Sequence, residues 1–121
     1  MRPRARAKRG PVRKPGRLRI LIGMVYLVRT CRFLKDWEKA WQAVDGLSNH
    51  VKKEYKEVKE SYFLSNIAGP IDQLHWIVSF DSLADEERFA SKAMKDETYG
   101  KAFMDMDGRL SPFVDRLYRR E

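Results

Sequence analysis

The chain has 121 residues, a formal net charge of +8, two histidines and a single cysteine. That length supports one domain and is small for a nicotinamide or flavin domain. An intrachain disulfide is excluded, the histidines and cysteine lack the spacing of a structural zinc site, and no apolar run reaches the ~20 residues of a transmembrane helix.

The charge is confined to one end. Residues 1–19 hold nine Lys/Arg and no acid, whereas the remaining chain carries 16 basic and 17 acidic side chains, a net charge of −1. Three prolines, two glycines and no Ser or Thr leave 1–19 without the means to build a core, so this segment is expected to be a disordered basic tail. It offers three functional readings: electrostatic contact with nucleic acid or an anionic membrane, a mitochondrial presequence in a eukaryote, or a start assigned upstream of a true start at Met24. The apolar stretch 20–28 is followed by Arg29, Thr30, Cys31 and Arg32, which provide no small-residue cleavage site and argue against export. A cytoplasmic location is the expectation otherwise. Nucleic acid is expected as a partner only through this tail.

Beyond the tail, residues from 18 or 24 to 31 have strand composition. Tyr26, Val28 and Thr30 alternate with Val25, Leu27, Arg29 and Cys31. From Leu34 the period changes: Trp37, Ala40, Trp41, Val44, Leu47, Val51 and Tyr55 recur at three and four, the stripe of an amphipathic helix. Trp37 and Trp41 are expected in its core. Gly46 weakens the helix by about 1 kcal/mol relative to Ala. The mixed charges of 52–57 read as its solvated end, and His50 as a solvated side chain.

Tyr62, Phe63, Leu64 and Ile67 predict a second strand closed by a Gly69–Pro70 turn. A third runs over 73–80, with Leu74, Trp76, Val78 and Phe80 on one face and His75, Ile77 and Ser79 on the other. Ser82 is the expected N-cap of a helix carrying Leu83, Phe89, Ala90 and Met94, and Asp85 and Glu86 in its first turn suit the helix dipole. A shorter helix begins near Asp96 and carries Tyr99, Phe103 and Met106 until Asp107–Gly108 breaks it. Phe113, Val114, Leu117 and Tyr118 make a last strand, flanked by Arg116, Arg119 and Arg120.

The order is β-α-β-β-α-β, a ferredoxin-like α+β arrangement with a four-stranded antiparallel sheet and helices on one face. The other face still carries apolar groups. Two such sheets packed face to face would cover it, so a homodimer is expected.

Four stretches resemble NIPSNAP-type proteins. Val25-Tyr26-Leu27-Val28-Arg29-Thr30-Cys31 is similar to that family's first-strand I-Y-E-L-R-T-Y. Gly69-Pro70-Ile71-Asp72-Gln73 is similar to its G-P-L-N-Q turn. The run from Phe80 to Arg88 resembles Y-x-S-L-A-x-R-x-R, and Asp96 with Tyr99 matches D-P-x-W/Y. The resemblance spans 24–121 and implies the dimeric α+β barrel, shared with cofactor-free antibiotic-biosynthesis monooxygenases, haem-degrading oxygenases and small polyketide cyclases. Departures are present: Leu27 stands where the family has glutamate, Cys31 where it has tyrosine, and the loop before the first helix shrinks to 33–36. The family's third-strand histidine falls on Trp76, and His75 sits one residue earlier, on the opposite strand face.

Among titratable groups His75 is the candidate catalytic base, since it shares a strand face with Ser79 and imidazole suits proton removal near neutrality. Its alternative role is to fill space at the dimer interface. Arg29 either anchors an anionic or enolate ligand or pairs with a carboxylate across the dimer. Trp76 is a pocket wall or core. Tyr26, Tyr62, Asn66 and Ser79 complete the candidate ligand set. No phosphate loop, dinucleotide fingerprint, nucleophile elbow or zinc-protease motif is present. The expected function is therefore a NIPSNAP-like dimeric barrel binding a small, apolar or aromatic molecule. The alternative is a cofactor-independent monooxygenase or polyketide-cyclase-like enzyme. No cofactor is called for, with haem the one group that the resemblance offers.

Overall fold

A computed structural model describes residues 23–121. The expected disorder of 1–19 falls outside the described residues. Seven elements follow in order: β1 (Val25–Arg32), α1 (Trp37–Glu54), β2 (Val58–Ser65), β3 (Gln73–Phe80), α2 (Leu83–Lys95), α3 (Glu97–Met106) and β4 (Val114–Arg119). The strands form one four-stranded sheet in the order β2-β3-β1-β4, with every neighbouring pair antiparallel. This is the ferredoxin-like α+β fold.

Strand alternation decides which residues meet the helices. Leu27 and Cys31 of β1 lie opposite Val78 and Leu74 of β3, and these join Trp76 and Phe80 in the core. The helices supply Ala40, Val44, Leu47 and Val51 from α1, Phe89 from α2, and Tyr99 and Met106 from α3. Trp76 brings a polar atom into this core, and its indole N–H donates to Ser61 Oγ at 2.7 Å while Ser61 shares a second bond with Ser48 at 2.6 Å. Burial there leaves no orphan, as a low-dielectric interior requires. The opposite parity, with Tyr26, Val28, Thr30, Tyr62, Leu64, His75 and Ile77, forms the face turned away from the helices.

Three boundaries differ from the periodicity. α1 starts at Trp37, later than Leu34, because residues 33–35 are tied elsewhere: Phe33 N–H donates to Asp72 O at 2.9 Å and Leu34 N–H to Arg109 O at 2.8 Å. Asp36 then turns the chain through the left-handed region at φ 51°. β2 begins at Val58 and ends at Ser65, since pairing along β3 from Phe80 to Leu74 recruits upstream residues, and Ile67 is left fully exposed in the loop. The charged run 52–57 is not a solvated helix end throughout. Tyr55 is buried, and the Glu57 carboxylate, 5% exposed, accepts from Lys92 Nζ at 3.1 Å.

Trp37 and Trp41 are not core. They are 52% and 43% exposed, on the flank of the stripe that buries Ala40, Val44 and Leu47. Trp37 stacks on Phe33 at 5.0 Å between centroids, and Trp41 leans on Phe63 at 5.4 Å and Phe33 at 6.3 Å. Gly69 (φ 82°) and Gly108 (φ 80°) occupy the two turns where the sequence placed them, in a conformation that costs a residue with a Cβ roughly 1 kcal/mol or more.

Candidate functional site

Arg29 sits on the helix-facing side of β1, opposite Trp76 on β3 and Asp115 on β4. A cation in that position needs a partner, and the neighbouring edge strand supplies one. Arg29 Nε donates to Asp115 Oδ1 at 3.0 Å and Nη2 to Oδ2 at 3.3 Å, a forked pair, while Nη1 donates to the Tyr99 hydroxyl of α3. The rings of Trp76, Phe103 and Phe113 surround the guanidinium, with its carbon 5.4, 5.2 and 5.1 Å from their centroids. Burial opposes the charge, but Tyr99 and Asp115 more than offset it, so the Arg29 pKa lies above its ordinary value. The carboxylate expected across the dimer is instead Asp115 of the same chain, brought opposite Arg29 by the β1–β4 register.

A cleft of about 460 Å³ opens beside this pair, between the sheet and helices α2 and α3. Leu27, Phe89, Ala93 and Leu117 make its apolar walls, and Arg29, Tyr99, Asp115 and Glu86 its polar end. Burial raises the Tyr99 phenol, with Arg29 pulling the other way. Burial and the adjacent Glu87 also raise the Glu86 carboxyl, again against Arg29. Glu86 does more than serve the helix dipole in the first turn of α2: it projects into the cleft.

The remaining sequence candidates lie on the other side of the sheet. His75 Nδ1 is 2.9 Å from Thr30 Oγ1, and His75 Nε2 is 2.7 Å from Asn66 Oδ1. Asn66 Nδ2 donates onward to Pro70 O at 2.7 Å and Gln73 Oε1 at 2.9 Å. Tyr26 lies beneath Arg120, whose guanidinium carbon is 5.7 Å from the ring. Tyr62 is partly exposed, and burial raises its phenol. Ser79 is fully buried, and its Oγ has no hydrogen-bond partner among the described residues. The structure therefore gathers Arg29 with Trp76 and His75 with Asn66, and puts the sheet between the two pairs. Both ring nitrogens of His75 are thus engaged by neighbouring side chains. Among the described residues no three His, Cys, Asp or Glu side chains converge to hold a metal ion.

His50 is a correction. It is half-buried, and its Nε2 lies 2.7 Å from Asp96 Oδ2, the oxygen that also accepts from Tyr55 at 2.7 Å. The last turns of α1 lie against the start of α3, which takes the imidazole out of open solvent.

Sequence reasoning passed over Thr30, Glu86, Tyr99 and Asp115 as site residues. Cross-strand register would have found Thr30 and Asp115, which lie directly opposite His75 and Arg29. Tyr99 gave a core signal, and its hydroxyl becomes visible only once α3 is laid over β1.

No protein-family model and no curated protein matches the chain. Solved structures do. A NIPSNAP family protein of unknown function from Agrobacterium tumefaciens is 20% identical, with a TM-score of 0.64, over 81% of this chain and 88% of that one. A dimeric protein of unknown function with a ferredoxin-like fold, from Bacteroides fragilis, is 14% identical over 80% and 96% of the two chains, with a TM-score of 0.59. A variant of a cofactor-independent oxygenase from Streptomyces nogalater is 7% identical over 78% and 90%, with a TM-score of 0.63. At such identities the shared property is the fold. The chain has the ferredoxin-like α+β fold found in dimeric barrel proteins. Within that class it is similar to NIPSNAP family proteins, as its strand and turn motifs imply.

Proposed function

We propose that the protein is a homodimeric α+β barrel that takes up a small, apolar or aromatic molecule in the cleft between the sheet and helices α2 and α3. The carrying observation is a cleft with apolar walls and one polar end. Tyr99 accepts from Arg29 and keeps its own O–H for a ligand, while the Glu86 carboxyl has no partner among the described residues. One donor beside one acceptor suits a hydroxyl on a flat apolar body. Titrating 1-naphthol by calorimetry tests this. Saturable binding, weakened at least tenfold by Ala93→Trp, is expected, and binding that ignores this substitution would discard the cleft as the site.

The alternative, a cofactor-independent oxygenase or cyclase, is favoured by one observation. Glu86, a carboxyl of raised proton affinity, lines the same cleft as a tyrosine hydroxyl held by an arginine, which offers a base and a donor for a developing enolate oxygen. His75 faces away from the cleft, so the role of base there passes to Glu86. Anthrone with dioxygen, giving anthraquinone and water, is the test reaction. Oxygen uptake that is lost in Glu86→Gln and kept in His75→Ala supports it, and no uptake above buffer rejects it.

A further inference from the structure

At one end of the sheet, where β1 and β2 stop and β3 starts, five large apolar side chains stand in solvent. Leu34 is 55% exposed, Trp37 and Trp41 of α1 are about half exposed, and in the β2–β3 loop Ile67 is fully exposed and Ile71 77%. Short-range bonds gather them. Phe33 N–H donates to Asp72 O at 2.9 Å, which fastens the loop beside the segment that carries Leu34. The Phe33 ring lies 5.0 Å from Trp37 and 6.3 Å from Trp41. Asn66 Nδ2 donates to Pro70 O at 2.7 Å and Gly69 turns at φ 82°, so the loop is closed on itself with both isoleucines outside. Turn chemistry calls for the Asn, Gly and Pro, but for no β-branched residue at 67 or 71. None of the five belongs to the core. None is on a strand, so the sheet face that meets a second copy is separate from them.

We propose that this end of the molecule docks on an anionic lipid bilayer. A gathered apolar patch marks a surface that is covered in use. Its composition suits a membrane boundary: indole combines an apolar ring with a polar N–H and is enriched there, while aliphatic side chains enter the acyl region. Charge selects the lipid. Residues 1–19 supply nine Lys/Arg and no acid, and anionic headgroups attract such a cluster. Fully extended, 22 residues before Gly23 reach about 70 Å, whereas β1 is about 26 Å long, so this charge can act at either end of the sheet. The nearby carboxylates offer little repulsion, because Asp72 pairs with Arg32 at 2.7 Å and Asp36 with Arg109 at 3.5 Å. Apolar insertion and basic attraction are each weak alone and sufficient together. The described helices are not long and apolar enough to cross a membrane, and the contact proposed is with its surface. It goes beyond the cleft and does not depend on a ligand there.

The full chain mixed with phosphatidylcholine vesicles containing about 30% phosphatidylserine tests the proposal by co-sedimentation and tryptophan emission. Trp76 is fully buried, so changes in emission report Trp37 and Trp41. Binding with a blue shift, and quenching by brominated lipid, are expected. Phosphatidylcholine alone, or high salt, should weaken binding at least tenfold. The double variant Ile67→Ser, Ile71→Ser, altered only at exposed loop positions, should also bind at least tenfold more weakly while keeping its thermal unfolding temperature. No binding overturns the proposal. Binding without a change in emission, or equal binding by the double variant, assigns the contact to the basic segment alone and overturns the docking surface.

Discussion

Asp96 concentrates more hydrogen bonds than any other carboxylate described above. Its Oδ1 accepts from the backbone N–H groups of Thr98 and Tyr99, and its Oδ2 from His50 and Tyr55. Burial alone would raise this carboxyl, but the donors outweigh it and hold the pKa at about 2, below its ordinary 3.8. A depressed carboxylate stabilises the fold fully above its unfolded pKa, and the contribution fades as pH falls through the folded one. The window is therefore roughly pH 4 to 2, and the loss is on the order of 2 kcal/mol. Urea melts across that range should show the loss in the wild type. Asp96→Asn, which can still cap α3 but cannot ionise, should flatten it. Cys31 behaves in the opposite sense. Burial pushes its thiol up to about 11, and 2% of the residue is exposed. Thiol-reactive reagents at pH 8 should label the native chain about 100-fold or more slowly than the unfolded one, and equal rates would contradict the buried placement.

At the scale of single elements, local chemistry and tertiary contacts contribute differently. The N-terminus of α2 is set locally: Ser82 Oγ accepts from Asp85 N–H at 3.2 Å, with Asp85 and Glu86 in the first turn. Ser82→Ala should cost about 1 kcal/mol in thermal or urea unfolding. α1 tolerates a poor residue in its middle. Gly46 lies exposed in a continuous helix, and a Cβ built there meets nothing within 4 Å. Gly46→Ala should therefore stabilise the protein by about 1 kcal/mol, and destabilisation would mean that this surface is already in use. The start of α1 is decided at a distance, by the bonds of 33–35 to Asp72 and Arg109. This is why the helical period in the sequence ran past the true boundary.

For the whole molecule, the far face of the sheet is the surface that governs assembly. No described helix packs on it, yet Tyr62, Leu64, Val114 and Tyr118 stand exposed there at 37 to 57%. Removing such a surface from water in a second copy yields about 25 cal/mol per Å², the driving force for the proposed dimer. Sedimentation should give a dimer for the full chain and a shift toward monomer in the double variant Leu64→Glu, Tyr118→Glu. A wild-type monomer at micromolar concentration would end the barrel reading. Charge acts at the same scale but independently of the fold. A chain beginning at Met24 carries a net charge of −1, so any salt-dependent binding to DNA measured for the full chain should be lost from it.

The fold was legible because its information is periodic and local. Alternation of two along 25–31 and 73–80, a stripe of three and four from Ala40 to Val51, and punctuation at Gly69, Ser82, Asp96 and Gly108 fix the type and order of the elements. Strand parity also sorted Arg29 and Trp76 to one face and His75 to the other. The partners of these residues were not legible, because they are set by register between segments distant in sequence. Asp115 reaches Arg29 across 86 positions, Tyr99 across 70, and Thr30 meets His75 across 45. Side-chain periodicity states which way a residue points and says nothing of what stands opposite. By itself the sequence determined a ferredoxin-like domain with a charged appendage and a list of polar candidates. Only the tertiary structure decided that these candidates divide into a cleft on one side of the sheet and a hydrogen-bonded relay on the other, because packing and strand pairing are where separate segments acquire a common geometry.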